Sequence, residues 1–168
     1  AIVFGGTSGI GLATCLELQV RGANVVSVSR NPTKAGTSID GICLAAVDAR
    51  DSNAVSAFFE TQGKIDILIS SATGGSRAFG PFLEMDIDGF KGSFDKLWGY
   101  SNVIRYGAPK LSNHGSIVLV SGTPARKMKP GQVALSAVGG AVEAFARAIA
   151  PEIAPRRINV VAPGIVDT

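Results

Sequence analysis

Short apolar runs recur along the chain, with stretches of helical periodicity between them. Residues 1–4 (AIVF), 24–29 (NVVSVS), 41–47 (GICLAAV), 65–70 (IDILIS), 115–121 (GSIVLVS) and 157–162 (RINVVA) read as strands. Residues 10–21, a segment containing VSAFFET (55–61), residues 90–110 and residues 133–153 read as helices. The strand runs are nearly continuous in apolar residues, as strands buried on both faces are. Strand and helix alternate, so the expectation is an α/β fold: a Rossmann-like, doubly wound parallel sheet in a three-layer αβα sandwich, with residues 1–168 forming one domain. Residues 31–41 leave little room for a crossover helix. The chain opens inside a strand and stops just after a strand-end turn, so further segments are expected at both ends, the C-terminal part of the fold among them.

Composition narrows the partners. Twenty-one glycines and 17% charged residues among 168 suit tight turns and buried strands. The net charge of +3 is mild. Arg126, Lys127 and Lys129, with Arg156 and Arg157 later, carry no interleaved aromatics, which argues against nucleic acid. No apolar run approaches the roughly 20 residues of a membrane span, and no signal peptide is visible. Cys15 and Cys43 lie in apolar stretches and match no metal or redox spacing. They read as buried thiols in a reducing, cytoplasmic compartment. No metal site is expected.

The chemistry begins at FGGTSGIG, residues 4–11. Gly5, Gly9 and Gly11 follow the first strand and open the first helix. Glycines there let the backbone approach a pyrophosphate, and the helix N-terminus offers free N–H groups and a positive dipole end. Thr7, Ser8, Gly9 and Ile10 are the candidate phosphate contacts. The plainer reading is a Gly-rich turn, but the strand-turn-helix context favours the cradle. At the end of the second strand stand Ser29, Arg30 and Asn31, with no acid. Nothing repels a ribose 2′-phosphate, and Arg30 is able to pair with it, which points to NADP(H).

These residues, in this order, resemble the short-chain dehydrogenase/reductase family over nearly the whole chain. GGTSGIG is similar to that family's Gly-rich loop, with Phe4 where a Thr is usual. AVDARD (46–51) resembles the stretch where Asp48 would meet the adenine amino group and Ala49 its face. Ser70, Ser71, Ala72 and Thr73 stand where the family has Asn-Asn-Ala-Gly. GSIVLVSG is similar to the strand carrying the catalytic Ser. Pro163, Gly164, Ile165 and Thr168 resemble the Pro-Gly turn flanking the nicotinamide. The resemblance implies hydride transfer on a small-molecule substrate, with a Tyr acid/base, a Lys that lowers its pKa, a Ser on the carbonyl and an Asn ordering a water. It also implies a homodimer or homotetramer built on helices such as the small-residue face of Ala134, Ala137, Ala141 and Ala144. Trp98 is expected in the core or at that interface.

The usual catalytic residues are missing. Aligned on the family, the Ser position is Gly122, the Tyr position Leu135, the Lys position Gly139 and the Asn position Asp95. YGAPK (106–110) has the Tyr-x-x-x-Lys spacing but lies before the fifth strand, where Pro109 ends a helix. It is a coincidence of spacing. Polar groups expected near the strand ends are Ser121, Thr123, Asp95, Lys96, Arg126 and Ser136. Lys96 would stabilise an oxyanion beside a nicotinamide, its plainer reading being a surface lysine on a helix beginning near Asp88. Arg126 would bind an anionic substrate or be solvated with its lysine neighbours. His114, expected in a turn across the sheet, has no catalytic part. Three readings follow. One is an NADP(H)-dependent oxidoreductase with an atypical catalytic set, acting on a carbonyl or on an iminium that needs hydride but no proton donor. The second is a non-redox enzyme, since the resemblance extends to members that lack Tyr and Lys and act as iminium reductases with cyclase activity. The third is a catalytically silent nucleotide-binding protein.

Overall fold

Ile2, Val3 and Phe4 are all buried, and this strand, β1 (Ile2–Phe4), is the axis of a six-stranded parallel sheet. The computed structural model describes residues 1–33, 40–73 and 77–166. The other strands are β2 (Val25–Ser29), β3 (Ile42–Ala46), β4 (Ile65–Ser70), β5 (Leu111–Val120) and β6 (Arg157–Val161). Their order is β3-β2-β1-β4-β5-β6. The chain therefore builds outward from β1 on one side, then returns past it to build the other. The reversal lies between β1 and β4, where turns leaving adjacent strand ends diverge and leave a crevice. The register there is Ile2 on Leu68 and Phe4 on Ser70, and Ser71 N–H extends the ladder to the Phe4 carbonyl at 2.9 Å.

Side-chain alternation along β1 divides the core. Ile2 and Phe4 join Leu68, Ile117 and Leu119 on one face, under the helices α2 (Ser52–Glu60), α4 (Asp95–Gly107) and α5 (Val133–Ile153). Val3 joins Val25 and Ile69 on the opposite face, against Cys15 of α1 (Gly9–Val20). Phe4 packs edge-on to Phe58 with centroids 5.8 Å apart, and Phe59 completes the cluster at 5.9 Å from Phe4. Asp51 starts α2 by accepting hydrogen bonds from Asn53 N (2.9 Å) and Ala54 N (3.0 Å), an N-cap that sets the entry of this helix.

Several local expectations change. The helix expected over 90–110 is two helices, α3 (Ile87–Ser93), capped by Asp86, and α4, separated at Phe94. Pro109 lies in a 3₁₀ turn past the end of α4. Strand β5 begins at Leu111, with a bulge opposite Asp66 that absorbs Ser112–Gly115, so His114 is an exposed strand residue. Trp98 is 60% exposed on α4 and packs in no core. Cys15 is buried as expected, but Cys43 is exposed, because alternate residues of β3 face outward at the sheet edge. Helix α5 is 21 residues long and apolar enough to cross a membrane by length and composition, unlike the sequence reading. Here it packs against β6 and buries Ala134, Val138, Val142 and Ala146, with Ala137 half-buried and Ala144 exposed. The expectations for the 31–41 region fall largely outside the described residues.

Phe59 is 1% exposed beneath the β1 turn. Phe59→Ala should cost about 3–5 kcal/mol by cavity formation. Urea denaturation should show a lower midpoint with unchanged slope; a loss under 1 kcal/mol would remove the aromatic cluster from the core argument.

Candidate functional site

The carboxyl ends of the strands open onto a cavity of about 840 Å³. Gly5, at φ +80°, turns the chain out of β1, and a Cβ there would lie 2.6 Å from the Ala72 nitrogen. A Cβ on Gly11 would run into the Gly5 carbonyl and sit 2.6 Å from Ser71 Oγ. Those two hydrogens let the start of α1 nest against the end of β4. The N-cap, Ser8, is extended and its side chain caps nothing. The first-turn N–H groups of α1 thus lack a side-chain acceptor, while Thr7, Ser8, Gly9 and Ile10 line the cavity. A backbone this close-packed, with an uncapped helix N-terminus facing a crevice, fits the pyrophosphate of a dinucleotide.

At one end of the cavity stand Ser29, Arg30 and Asn31 from the end of β2, and Asp48 and Ala49 from the end of β3. Arg30 and Asn31 are exposed. Asp48 accepts from Arg50 Nη2 at 2.7 Å and from Arg50 N at 3.0 Å, and Arg50 Nη1 reaches Asp95 at 3.2 Å. Arg50 holds the Asp48 carboxyl below the usual range, and Asp48 in turn raises the guanidinium. The sequence reading gave Arg50 no role, although it follows Asp48-Ala49 directly. It staples the β3 turn to the start of α4 by engaging Asp95, the residue the sequence reading expected at the family's Asn position.

The opposite end holds Ser71, Ala72, Thr73, Lys96, Gly122, Leu135, Gly139, Pro163, Gly164 and Ile165. Gly122, Leu135 and Gly139, expected from the sequence at the family's Ser, Tyr and Lys positions, all line the cavity, and none carries a polar side chain. The hydroxyls proposed as substitutes are engaged elsewhere. Ser121 donates to Glu143 Oε1 at 3.2 Å, and Thr123 donates to the Pro163 carbonyl at 2.8 Å, tying β5 to the turn after β6. Arg126 is a correction. Its Nε donates to the Glu143 carboxylate at 3.1 and 3.2 Å, and it lines a separate pocket with Arg147 and Asn159. The buried Glu143, unremarked in the sequence, draws both groups away because an unpaired carboxylate would be costly there. Ser136 does not line the cavity; the residue is half-buried with its hydroxyl oxygen buried, and Thr168 lies outside the described residues.

Lys96 is no surface lysine. It is partly buried, its Nζ donates to the Ser121 carbonyl at 3.1 Å, and it sits 5.6 Å from the Tyr100 ring centroid. Burial first, and then the Arg77 cation, push its pKa down to about 8. Tyr100, one turn along, is fully buried and donates to the Val120 carbonyl at 2.9 Å; burial raises its pKa. A Lys and a Tyr therefore do meet here, but the amine faces the cavity and the phenol does not. YGAPK is elsewhere: Tyr106 Oη lies 2.9 Å from Ser52 Oγ, and Lys110 donates to the Gln62 carbonyl at 3.2 Å. Arg77, Lys127 and Lys129, which the sequence reading did not assign to the site, also line the cavity.

The whole chain, residues 1–168, matches the short chain dehydrogenase family. It belongs to that family. L-xylulose reductase of Mesocricetus auratus is 29% identical, across 100% of this chain and 72% of its own length. Carbonyl reductase [NADPH] 2 of Sus scrofa is 30% identical, with the same coverage. A small-chain dehydrogenase crystallised with NADPH shares 32% identity at a TM-score of 0.86, covering 99% of this chain and 70% of the other. BdcA in complex with NADPH shares 27% at a TM-score of 0.87, with the same coverage. The family's relatives are named reductases and dehydrogenases, so the short-chain dehydrogenase fold here is that of an oxidoreductase family.

Two outcomes test this geometry. Folding lowers the Lys96 pKa from 10.5 to about 8, so the unfolded chain binds the extra proton between those values. Stability therefore carries its full penalty below pH 8 and rises from pH 8 to 10.5. Lys96→Met should raise the thermal midpoint at pH 7 by a few degrees and flatten that rise in pH-resolved melts. An unaltered profile would place Lys96 in solvent. The second test uses Tyr106→Phe with Lys110→Met, which should leave nucleotide affinity within about twofold of the parent by calorimetry; a loss of tenfold would return YGAPK to the site.

Proposed function

We propose that the protein is an NADP(H)-dependent oxidoreductase that reduces a small carbonyl or iminium-type substrate with a rebuilt catalytic set. The observation that carries this reading is the pairing of the uncapped α1 cradle with Arg30 at the end of β2, where no acid stands. The NADPH complexes among the structural neighbours support it. Gly5 and Thr7–Ile10 would take the pyrophosphate, and Ser29, Arg30 and Asn31 the 2′-phosphate and ribose. Asp48 and Ala49 would flank the adenine. Ser71, Ala72, Thr73 and the Pro163–Ile165 turn would bound the nicotinamide, with Thr168 a candidate outside the described residues.

The bound nicotinamide would supply a hydride to the substrate carbon, the C=O pair moving to oxygen and taking a proton there. Lys96 is the cavity's candidate for meeting that oxygen, because its ammonium faces the crevice while the Ser, Tyr and Lys positions are apolar. Asp95 and Arg50 position the start of α4, which carries Lys96. A homodimer or homotetramer through α4 and α5 belongs to the same reading, and Trp98 at 60% exposure supports it. Both cysteines are free thiols, in keeping with a reducing, cytoplasmic setting.

Fluorescence titration with NADPH and NADH decides the cofactor. NADPH should bind more tightly than NADH, and Arg30→Ala should weaken NADPH by about tenfold or more while sparing NADH. Binding of neither nucleotide would remove the redox reading and leave a non-redox catalyst or a silent scaffold. Equal losses for both nucleotides would remove Arg30 from the 2′-phosphate.

A further inference from the structure

The cavity's charges are unevenly placed. Arg50 is engaged by Asp48 at 2.7 Å and Asp95 at 3.2 Å. Arg77, Lys96, Lys127 and Lys129 also line the cavity, and among the described residues none of the four has an ion-pair partner. None of these four comes from the turns after β1, β2 or β3, the strand ends that would carry the pyrophosphate and adenosine. There Arg30, at the end of β2, is a further cation of the cavity with no ion-pair partner among the described residues, and it is the one given to the 2′-phosphate. Arg77 follows β4, and Lys127 and Lys129 follow β5. The two loops are joined where Gly80 N–H donates to the Gly131 carbonyl at 3.0 Å. That bond brings Arg77 and Lys129 to one rim. Lys96 rises from α4 beneath it, bonded to the Ser121 carbonyl.

Like charges gathered around a crevice repel one another, and the repulsion is least screened where water is least abundant. Arg77 already weakens the hold of Lys96 on its proton. An anion entering between these groups relieves the repulsion; an iminium cation adds to it. A carboxylate also offers the planar pair of acceptors that suits a guanidinium fork.

We infer that the substrate is a carbonyl compound bearing a carboxylate, with Arg77, Lys127 and Lys129 receiving the carboxylate and Lys96 facing the carbonyl oxygen. This rests on the NADP(H)-dependent reading above and narrows its substrate from a carbonyl or iminium to an anionic carbonyl.

The test uses the full chain, first titrated with NADPH and then, at saturating NADPH, with oxamate, its neutral counterpart oxamide, and inorganic phosphate, all by calorimetry. Oxamate should bind saturably, at least about tenfold more tightly than oxamide, and weaken with added salt. Lys127→Gln with Lys129→Gln, and separately Arg77→Gln, should each weaken oxamate by about tenfold while leaving NADPH affinity within about twofold. Circular dichroism confirms that each variant is folded. Failure of the parent chain to bind NADPH overturns the cofactor reading. Normal NADPH binding with no preference for oxamate over oxamide overturns this inference alone. Tighter phosphate than oxamate binding overturns the carboxylate, and an equal loss of NADPH in the variants reassigns these cations to the cofactor.

Discussion

The contact between Gly5 and the backbone of Ala72 positions everything at the strand ends. A β-carbon at Gly5 would stand 2.6 Å from the Ala72 nitrogen, and one at Gly11 would meet the Gly5 carbonyl. Because neither exists, the first turn of α1 closes down on the end of β4. The topology reverses at the same place, so the closest packing in the site coincides with its crevice. The aromatic cluster of Phe4, Phe58 and Phe59 secures this turn from below. The cradle is therefore a consequence of core packing as much as of glycine chemistry.

A second layer of connections is electrostatic. Arg50 joins the β3 turn to α4 through Asp48 and Asp95. Glu143 gathers Ser121 and Arg126 behind β5. The second network satisfies the buried Glu143 carboxylate, while the Arg50 network is about a third exposed and acts by tying two elements together. Each network also engages groups that look reactive in the sequence: the Asp95 carboxylate and the Ser121 hydroxyl at the cavity wall, and the Arg126 guanidinium in a separate pocket. What faces the crevice is largely cationic, with Lys96 the deepest placed. The cavity thus presents a partly desolvated amine, that of Lys96, held against the Ser121 carbonyl.

Gly122, Leu135 and Gly139 line the cavity, beside β5 paired in parallel with β6 and along α5. At Gly139 a β-carbon would lie 2.8 Å from the Ala125 Cβ, so the loop after β5 sits closer to α5 there than a side chain would permit. The absence of a side chain at Gly139 and the approach of the loop go together, and that loop is the one that carries Lys127 and Lys129.

The sequence by itself determined the strands, their parallel character, the Gly-rich turn and the dismissal of YGAPK, because each depends on local pattern: apolar runs, glycine at the strand-helix junction, proline at a helix end. It also placed Lys96, Arg30, Gly122, Leu135 and Gly139 near the strand ends, through order along the chain. Tertiary structure alone decided which polar groups are available. Ser121, Thr123 and Arg126 are near the site in sequence, but their partners, Glu143 and Pro163, lie 17 to 40 residues away. Arg77, Lys127 and Lys129 reach the cavity from two loops that are far apart in sequence and bonded across Gly80 and Gly131. Trp98 and Cys43 show the same limit, since an apolar residue reads as core until the neighbouring elements are placed. Local pattern encodes the backbone's path; which side chains satisfy one another is settled by distances between segments that the pattern does not contain.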